Sequence, residues 1–363
     1  VATSPEPIEA VSQRLDKFLS EQLSYASALG PEAEAFTRSG ASALQGGKRL
    51  RARFCLAGWS SVRALEAPPS SAFDESALAV ATSLEIFHAA ALVHDDLVDN
   101  SDTRRGQPAA HRALQKAHQD ADWAGDSDAF GRSGAILLGD LLVAWSDDLL
   151  EEGLKGHRHA APTRRAYARM RRDVTIGQFL DVAEESAYTV YPDDAHAERA
   201  LRIASYKSAR YSIQQPLQIG AALAGADEAQ LDALGRFGHD VGMAFQLRDD
   251  VLGVFGDSAV TGKPVGDDLR EGKRTVLVAY ARESLSPQRR EGFDALLGDP
   301  ALDGAQIAAL QQTILDTRAL ERTEDLIADY SRRADLALAD AEVDTAALED
   351  LRALARAATE RTA

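Results

Sequence analysis

Cysteine is nearly missing from this 363-residue chain, which carries only Cys55. A single thiol closes no internal disulfide, so a disulfide-stapled module and a thiolate-rich zinc fold are both excluded. Set in an apolar run, Cys55 reads as a small core side chain. Positive charge is also in short supply. Forty Lys plus Arg stand against 57 Asp plus Glu, giving a net charge of −17 and a pI near 4.9. Nucleic-acid backbones are captured by clustered positive charge, so a general nucleic-acid binder is excluded, while local basic patches are not. The segment from Val1 to Glu6 lacks the positive start and apolar run of a signal peptide. No window reaches the roughly 18 apolar residues of a membrane span. The expectation is a cytoplasmic protein without stable membrane insertion.

Alternating β-branched stretches bounded by turn residues are almost absent as well, and Ala, Leu, Arg and the two acids dominate, which favours helix throughout. Helical segments are expected over roughly Ile8 to Tyr25, Glu32 to Ala43, Arg51 to Leu65, and Ser76 to Asn100. The last of these is apolar nearly all round and therefore buried. A polar stretch from about 100 to 131 reads as loop with short helices. Further helices are expected near Gly134 to Glu152, Pro162 to Glu185, Ala195 to Ala224, Ala229 to Gly253 and Arg274 to Glu283, then three more. The Gly46-Gly47 pair and the Pro68-Pro69 pair mark loops. No Pro/Ser-rich linker divides the chain, so the fold class is all-α, one large domain over residues 1–363.

The sequence contains a weak internal echo. The buried helix ending in Asp95-Asp96-Leu97-Val98-Asp99 has a counterpart about 150 residues later ending in Arg248-Asp249-Asp250. Asp95 and Asp99, four apart, share one helix face, with Asp96 rotated by about 100°. Carboxylates gathered at the negative end of a helix dipole repel one another and destabilise that end. A cation resolves both costs. Oxygen ligands with no His or Cys beside them point to Mg²⁺, which binds through a few carboxylates, waters and substrate phosphates. Short cationic clusters complete the pattern: Lys48-Arg49-Leu50-Arg51 after the Gly46-Gly47 breaker, Arg104-Arg105-Gly106, Lys207-Ser208, and Thr261-Gly262-Lys263-Pro264. Arginine forks and lysine charges of this kind hold phosphate oxygens. Together with the acids they imply a phosphate-bearing substrate.

In these residues the chain resembles the trans-prenyltransferases, the polyprenyl diphosphate synthases, and most of all the geranylgeranyl diphosphate synthases. The resemblance runs from about Gly46 to Thr275. It includes Leu84-Glu85-Ile86-Phe87-His88, Gly139-Asp140, Gly177-Gln178, Phe245-Gln246-Leu247 and Gly266-Asp267-Asp268 in the family's order. It implies an isoprenoid synthase fold, a helical bundle around a deep cavity, generally homodimeric. By the same resemblance Asp95, Asp96, Asp99, Asp249 and Asp250 hold about three Mg²⁺ ions and, with Lys207, are the catalytic set. Arg104, Lys207, Gln246 and Lys263 match residues that contact the allylic diphosphate. Lys48, Arg51, His88 and Arg105 match those that hold isopentenyl diphosphate. The implied reaction joins isopentenyl diphosphate to an allylic diphosphate (dimethylallyl, geranyl or farnesyl) by ionisation, condensation and elimination. The second acidic motif departs from the family, with Gly253 where a third aspartate is usual. Asp257 could reach the metal through water, and the carboxyl-terminal end lacks the strongly basic tail of some relatives.

Asp95, Ala91 and Phe87 lie on one ridge of the same helix, with Ala91 about 6 Å and Phe87 about 12 Å below Asp95. In short-chain relatives bulky residues four and five before the first Asp stop growth. Here both positions, Ala91 and Ala90, are small, and Phe87 is the candidate floor. The expected product is geranylgeranyl diphosphate, ahead of C25 to C50 chains and of farnesyl diphosphate. A class I terpene cyclase lacks the isopentenyl diphosphate cations present here. A non-catalytic subunit of a heteromeric enzyme would not be expected to keep both acidic pairs.

Overall fold

The computed structural model describes residues 6–66, 73–256, 265–339 and 341–359. Helices make up nearly all of it: α1 (Pro7–Ser27), α2 (Pro31–Ala43), α3 (Leu50–Glu66), α4 (Glu75–Val98), α5 (Ala110–Asp120), α6 (Ser127–Leu154) and α7 (Ala160–Ala187). After two short 3-10 turns, α8 (His196–Ile203) runs into a π-helical stretch, Ala204–Gln214, and on into α9 (Gln215–Ala224). The remainder is α10 (Glu228–Phe255), α11 (Asp267–Glu271), α12 (Val276–Glu283), α13 (Pro287–Leu296), α14 (Gly304–Asp316), α15 (Ala319–Ala337) and α16 (Thr345–Thr359).

Local chemistry sets many of the boundaries. Pro7 and Pro31 open α1 and α2, where the missing N–H costs nothing. Asp74 caps α4 by accepting from the Ala77 N–H. Asp227 and Gln230 form a reciprocal capping box on α10. Gly225 ends α9 in the left-handed conformation.

The central element is α4. One side of it, through Ile86, Ala89, Ala90 and Val93, packs on Leu138, Leu142 and Trp145 of α6. Its other side, through Val80, Leu84 and Phe87, packs among Phe54, Tyr167 and Leu217 of α3, α7 and α9. This helix is long and apolar enough to cross a membrane, which the reading of the bare sequence did not allow for. Yet 72% of its most apolar window is buried in the fold, the setting of a core helix.

Two glycines fix the approach of α3 to α9. A Cβ on Gly220 would lie 1.8 Å from the Cys55 carbonyl oxygen, and one on Gly58 would lie 2.1 Å from the Leu217 carbonyl oxygen. The backbones therefore touch. The contact matters for function because α3 begins with Arg51 and α9 continues the stretch that carries Lys207.

Three expectations need correction. Helix α6 starts at Ser127 rather than Gly134, because the Asp126 side chain caps it by accepting from Asp128 and Ala129 N–H groups. The stretch 100–131 holds the expected short helix, α5, but also an unexpected two-residue antiparallel strand pair, Thr103–Arg104 with Gln107–Pro108. Among the described residues four helices follow Glu283, not the three expected. The Pro68-Pro69 loop and residues 360–363 lie outside the described residues. We expect Gly220→Ala to destabilise the fold by at least about 2 kcal/mol in urea denaturation, because backbone on both sides blocks relaxation.

Candidate active site

A cavity of about 2090 Å³ opens between α3, α4, α7, the π-helical stretch and α10. At its head α4 contributes Asp95 and α10 contributes Gln246, Asp249 and Asp250, so the two acidic motifs meet across one space. The register of the walls is set by hydrogen bonds. Gln178 of α7 donates to Asp95 at 2.8 Å, and Gln246 donates to Asp250 at 2.7 Å. Gly177 brings α7 against the π-helical stretch, since a Cβ there would meet the Lys207 N at 2.5 Å. Lys207 thereby reaches the carboxylates. It is hydrogen-bonded to Asp181 and lies 3.9 Å from Asp95.

Negative charge exceeds positive charge at this head. Burial, then the neighbouring Asp95 carboxylate, pushes the Asp99 carboxyl up to about 6. Burial, then Asp268 and Asp249, holds Asp250 well above the usual carboxylate range. The lysines respond in the opposite sense. For Lys207 burial opposes the charge, but Asp181 and Asp95 more than offset it and raise the ammonium. For Lys273 burial is likewise outweighed, by Asp268 and Glu271. Lys273 also feels Asp99, and so links the two acidic motifs electrostatically.

The positions of the sequence candidates differ in kind. Asp95, Asp249 and Asp250 line the cavity; Asp96 and Asp99 do not. Asp96 is turned inward, only 3% exposed, and its carboxylate accepts two hydrogen bonds from the Arg104 guanidinium, one of them from Nε at 2.8 Å. The 100° rotation from Asp95 takes it off the metal-facing ridge. Asp99 caps α4 just outside the lining, its N–H bonded to the Asp95 carbonyl at 2.8 Å. Among the described residues no three acids, histidines or cysteines already enclose a metal-sized site. The donor set still fits a hard divalent cation, because such a cation keeps waters and shares its shell with phosphates, and because carboxyl groups pushed up by one another gain from a positive charge.

The opposite rim is cationic. Lys48, Arg49, Arg51 and Arg105 line it, and Arg104 stands between it and the acidic head, 3.5 Å from the Asp95 carboxylate. Arg105 lies over Gly47, where a Cβ would sit 3.0 Å from its guanidinium, and donates to the Gln45 carbonyl at 3.1 Å. Burial, then Arg104 and Arg49, lowers the Arg105 guanidinium, the signature of cations held close without enough counter-charge. Arg51 donates to Ser212 at 2.8 Å and stacks over the Tyr211 ring at 4.2 Å. Burial, then Arg51 and Arg105, keeps His88 well below its ordinary range, so it is neutral, with Nδ1 3.3 Å from the Tyr211 hydroxyl. A neutral imidazole beside four arginines is suited to donate to an anion and not to act as a strong base.

Below the head, Ala91 and Phe87 line the cavity. Ala90 does not: it is fully buried on the α6 side of α4, so its assignment to chain length is corrected. Lys263 and Asp257 lie outside the described residues. Reading the sequence missed Asp181, Asp268, Lys273, Tyr211 and Ser212 as site residues. The clearest is Asp268. A Cβ on Gly253 would lie 2.0 Å from an Asp268 carboxylate oxygen, so Asp268 fills the space beside the position of the absent third aspartate. The signal was legible, since an acid lost from a motif and an acidic pair, Asp267-Asp268, after the next glycine suggest a replacement.

The family described as Polyprenyl synthetase matches residues 34–314. A geranylfarnesyl diphosphate synthase of Aeropyrum pernix is 32% identical over 80% of this chain and 82% of its own. A geranylgeranyl diphosphate synthase of Mycobacterium tuberculosis is 38% identical over 61% of this chain and 57% of its own. The crystal structure of geranylgeranyl pyrophosphate synthase from Corynebacterium glutamicum, complexed with isoprenyl diphosphate and magnesium, superposes over the whole of both chains with a TM-score of 0.91 at 39% identity. The chain belongs to the polyprenyl synthetase family. It is an all-α prenyl diphosphate synthase, a transferase of prenyl groups from a family that uses divalent metal.

Two measurements check the electrostatics. A carboxyl raised in the fold keeps its proton where the unfolded chain has lost it, so stability falls as pH rises from the ordinary carboxylate range through about 6. Thermal denaturation of metal-free protein should follow that fall, and added divalent cation should offset it increasingly toward higher pH. Asp268→Asn should weaken metal binding or activity by about 10- to 100-fold. Gly253→Asp should fail to improve either, because it collides with Asp268.

Proposed function

We propose that this chain condenses isopentenyl diphosphate with an allylic diphosphate, with Mg²⁺, to make geranylgeranyl diphosphate as main product. The observation that carries the proposal is the cavity itself. Acidic motifs from α4 and α10 share its head, a cation cluster forms one rim, and a small residue, Ala91, follows the acids on the descending ridge. Asp95, Asp99, Asp249 and Asp250 would hold about three Mg²⁺ ions, with Asp268 beside them. Asp96 serves by fixing Arg104. Bound magnesium supplies the positive charge that stabilises the departing allylic diphosphate.

The chain's own groups do the rest. Lys207, Gln246 and Arg104 orient the allylic diphosphate, with Lys263 assigned to the same task by resemblance. Lys48, Arg51 and Arg105 hold the diphosphate of isopentenyl diphosphate, and neutral His88 donates to it. With the two substrates fixed on opposite rims, the double bond of isopentenyl diphosphate faces the allylic carbon that ionises, and positioning of this kind lowers the barrier. The departing diphosphate takes the final proton, so no protein base is required, and the double bond of isopentenyl diphosphate is itself the nucleophile.

Likeness to the C. glutamicum and M. tuberculosis enzymes supports the C20 product, whereas the A. pernix relative favours a C25 chain as second reading. A homodimer is proposed because Ile136 and Leu137 of α6 are adjacent exposed apolar residues outside the cavity lining, 49% and 61% accessible. The single buried Cys55 supports a cytoplasmic setting.

Incubation of purified protein with Mg²⁺, isopentenyl diphosphate and each allylic starter from C5 to C20, with chain-length analysis, tests the reading. Products ending at C20 are expected, and no elongation refutes it. Lys207→Ala should lower kcat about 10²- to 10³-fold. Ala91→Phe should shorten the product toward C15. Ala90→Phe should instead destabilise the fold by about 1–3 kcal/mol, because it faces the α6 core.

A further inference from the structure

The lower end of the cavity is not closed by Phe87. That ring is 7% exposed and sits edge-on against Tyr211 at 6.0 Å and Tyr167 at 6.5 Å, so it is part of the wall. The lining continues past it to Val143 of α6 and to Ala168 and Arg171 of α7. Arg171 is bound to Asp147 of α6 through Nη1, at 2.5 and 2.7 Å from the two carboxylate oxygens. Its guanidinium lies over the Tyr167 ring, 5.6 Å from the centroid.

Depth along the cavity follows from the hydrogen bonds that key the helices together. Gln178 marks the level of Asp95 on α7. Arg171 is seven residues below it, about 10 Å, and its side chain leans further toward the helix N-terminus. Asp147 follows Ser146, whose hydroxyl donates to the Ser83 carbonyl at 3.1 Å. Ser83 is twelve residues below Asp95, about 18 Å. The ion pair therefore stands between those two levels, with Arg171 in the cavity wall and Asp147 behind it on α6. Tyr167, fully buried and donating to the same Ser83 carbonyl at 3.1 Å, gives it a fixed base.

We propose that the Arg171–Asp147 ion pair, and not Phe87, is the floor that limits product length. The proposal rests on the prenyltransferase reading above and deepens it. A growing hydrocarbon tail runs down the cavity until it meets the pair. To pass, it would have to part the guanidinium from its carboxylate and lay apolar carbon against separated charges, which is unfavourable on both counts. Arg171 lines the cavity and Asp147 does not, so the guanidinium is the part of the pair that meets the tail. Arg171 sets the limit directly, and Asp147 is the positioning residue that holds it.

The test is product analysis with the full-length protein, isopentenyl diphosphate, Mg²⁺ and a farnesyl starter, for wild type, Arg171→Met and Asp147→Asn. Arg171→Met keeps bulk and removes the charge and the fork. Its main product is expected to be longer than the wild-type product by at least one isoprene, while consumption of the starter persists. Asp147→Asn, which releases the guanidinium without deleting it, should shift products in the same direction to a smaller extent. Should Arg171→Met not fold, judged by circular dichroism, the Asp147→Asn distribution decides the matter alone. Active wild type with unchanged products in the folded variants overturns the floor and leaves the enzyme assignment standing. Wild type that elongates no starter overturns the assignment and the floor together.

Discussion

Mutual repulsion among carboxylates is the constraint on which the rest of this structure depends. Burial, and then the carboxylates of Asp95 beside Asp99 and of Asp268 beside Asp250, raise the carboxyls of Asp99 and Asp250, while Lys207, Lys273 and Arg104 supply positive charge nearby. Such an arrangement is tolerated because the surrounding helices are fixed elsewhere. The apolar α4 is locked between α6 and the α3/α7/α9 layer, and α10 has its own capping box and core. The stability of the bundle thus maintains a site that is electrostatically unfavourable until a cation enters it.

The cationic rim is the complementary case. Arg49, Arg51, Arg104 and Arg105 crowd around neutral His88, and Glu85, Asp96 and Asp95 offset them locally. Asp96 explains how a pair of adjacent acids divides its work. One carboxylate faces the cavity, and the other, turned by the helical rotation, anchors Arg104, which stands between the acidic head and the cationic rim. The two halves of the site are in this way tied through a single residue pair in α4.

Much of this was legible in the sequence. Helical periodicity and capping residues placed most helices to within a few residues, and the acidic and basic motifs indicated which helix ends meet. What the sequence could not express was rotation and neighbourhood. Ala90 and Ala91 are adjacent in the chain, yet one faces a packed interface and the other the cavity, because α4 is buried on all sides and hydrophobicity no longer marks a face. Arg171 escaped for a related reason: its importance comes from Asp147 across from it, and no local pattern records that pairing. Asp268 was signalled only indirectly, by the missing third acid at Gly253 and the Asp267-Asp268 pair that follows. The α-to-π change at Ala204 was equally silent, since its residues are ordinary helix formers.

The backbone contact of α3 with α9 through Gly58 and Gly220 has a consequence for how the enzyme measures its substrates. With no side chain between them, the two helices cannot slide or tilt independently, and Arg51 on one is keyed to Ser212 just before the other. On the function proposed above, the side chains assigned to the two diphosphates would then behave like the jaws of a locked calliper. The gap between them would be set once, at folding, and kept through every cycle of elongation.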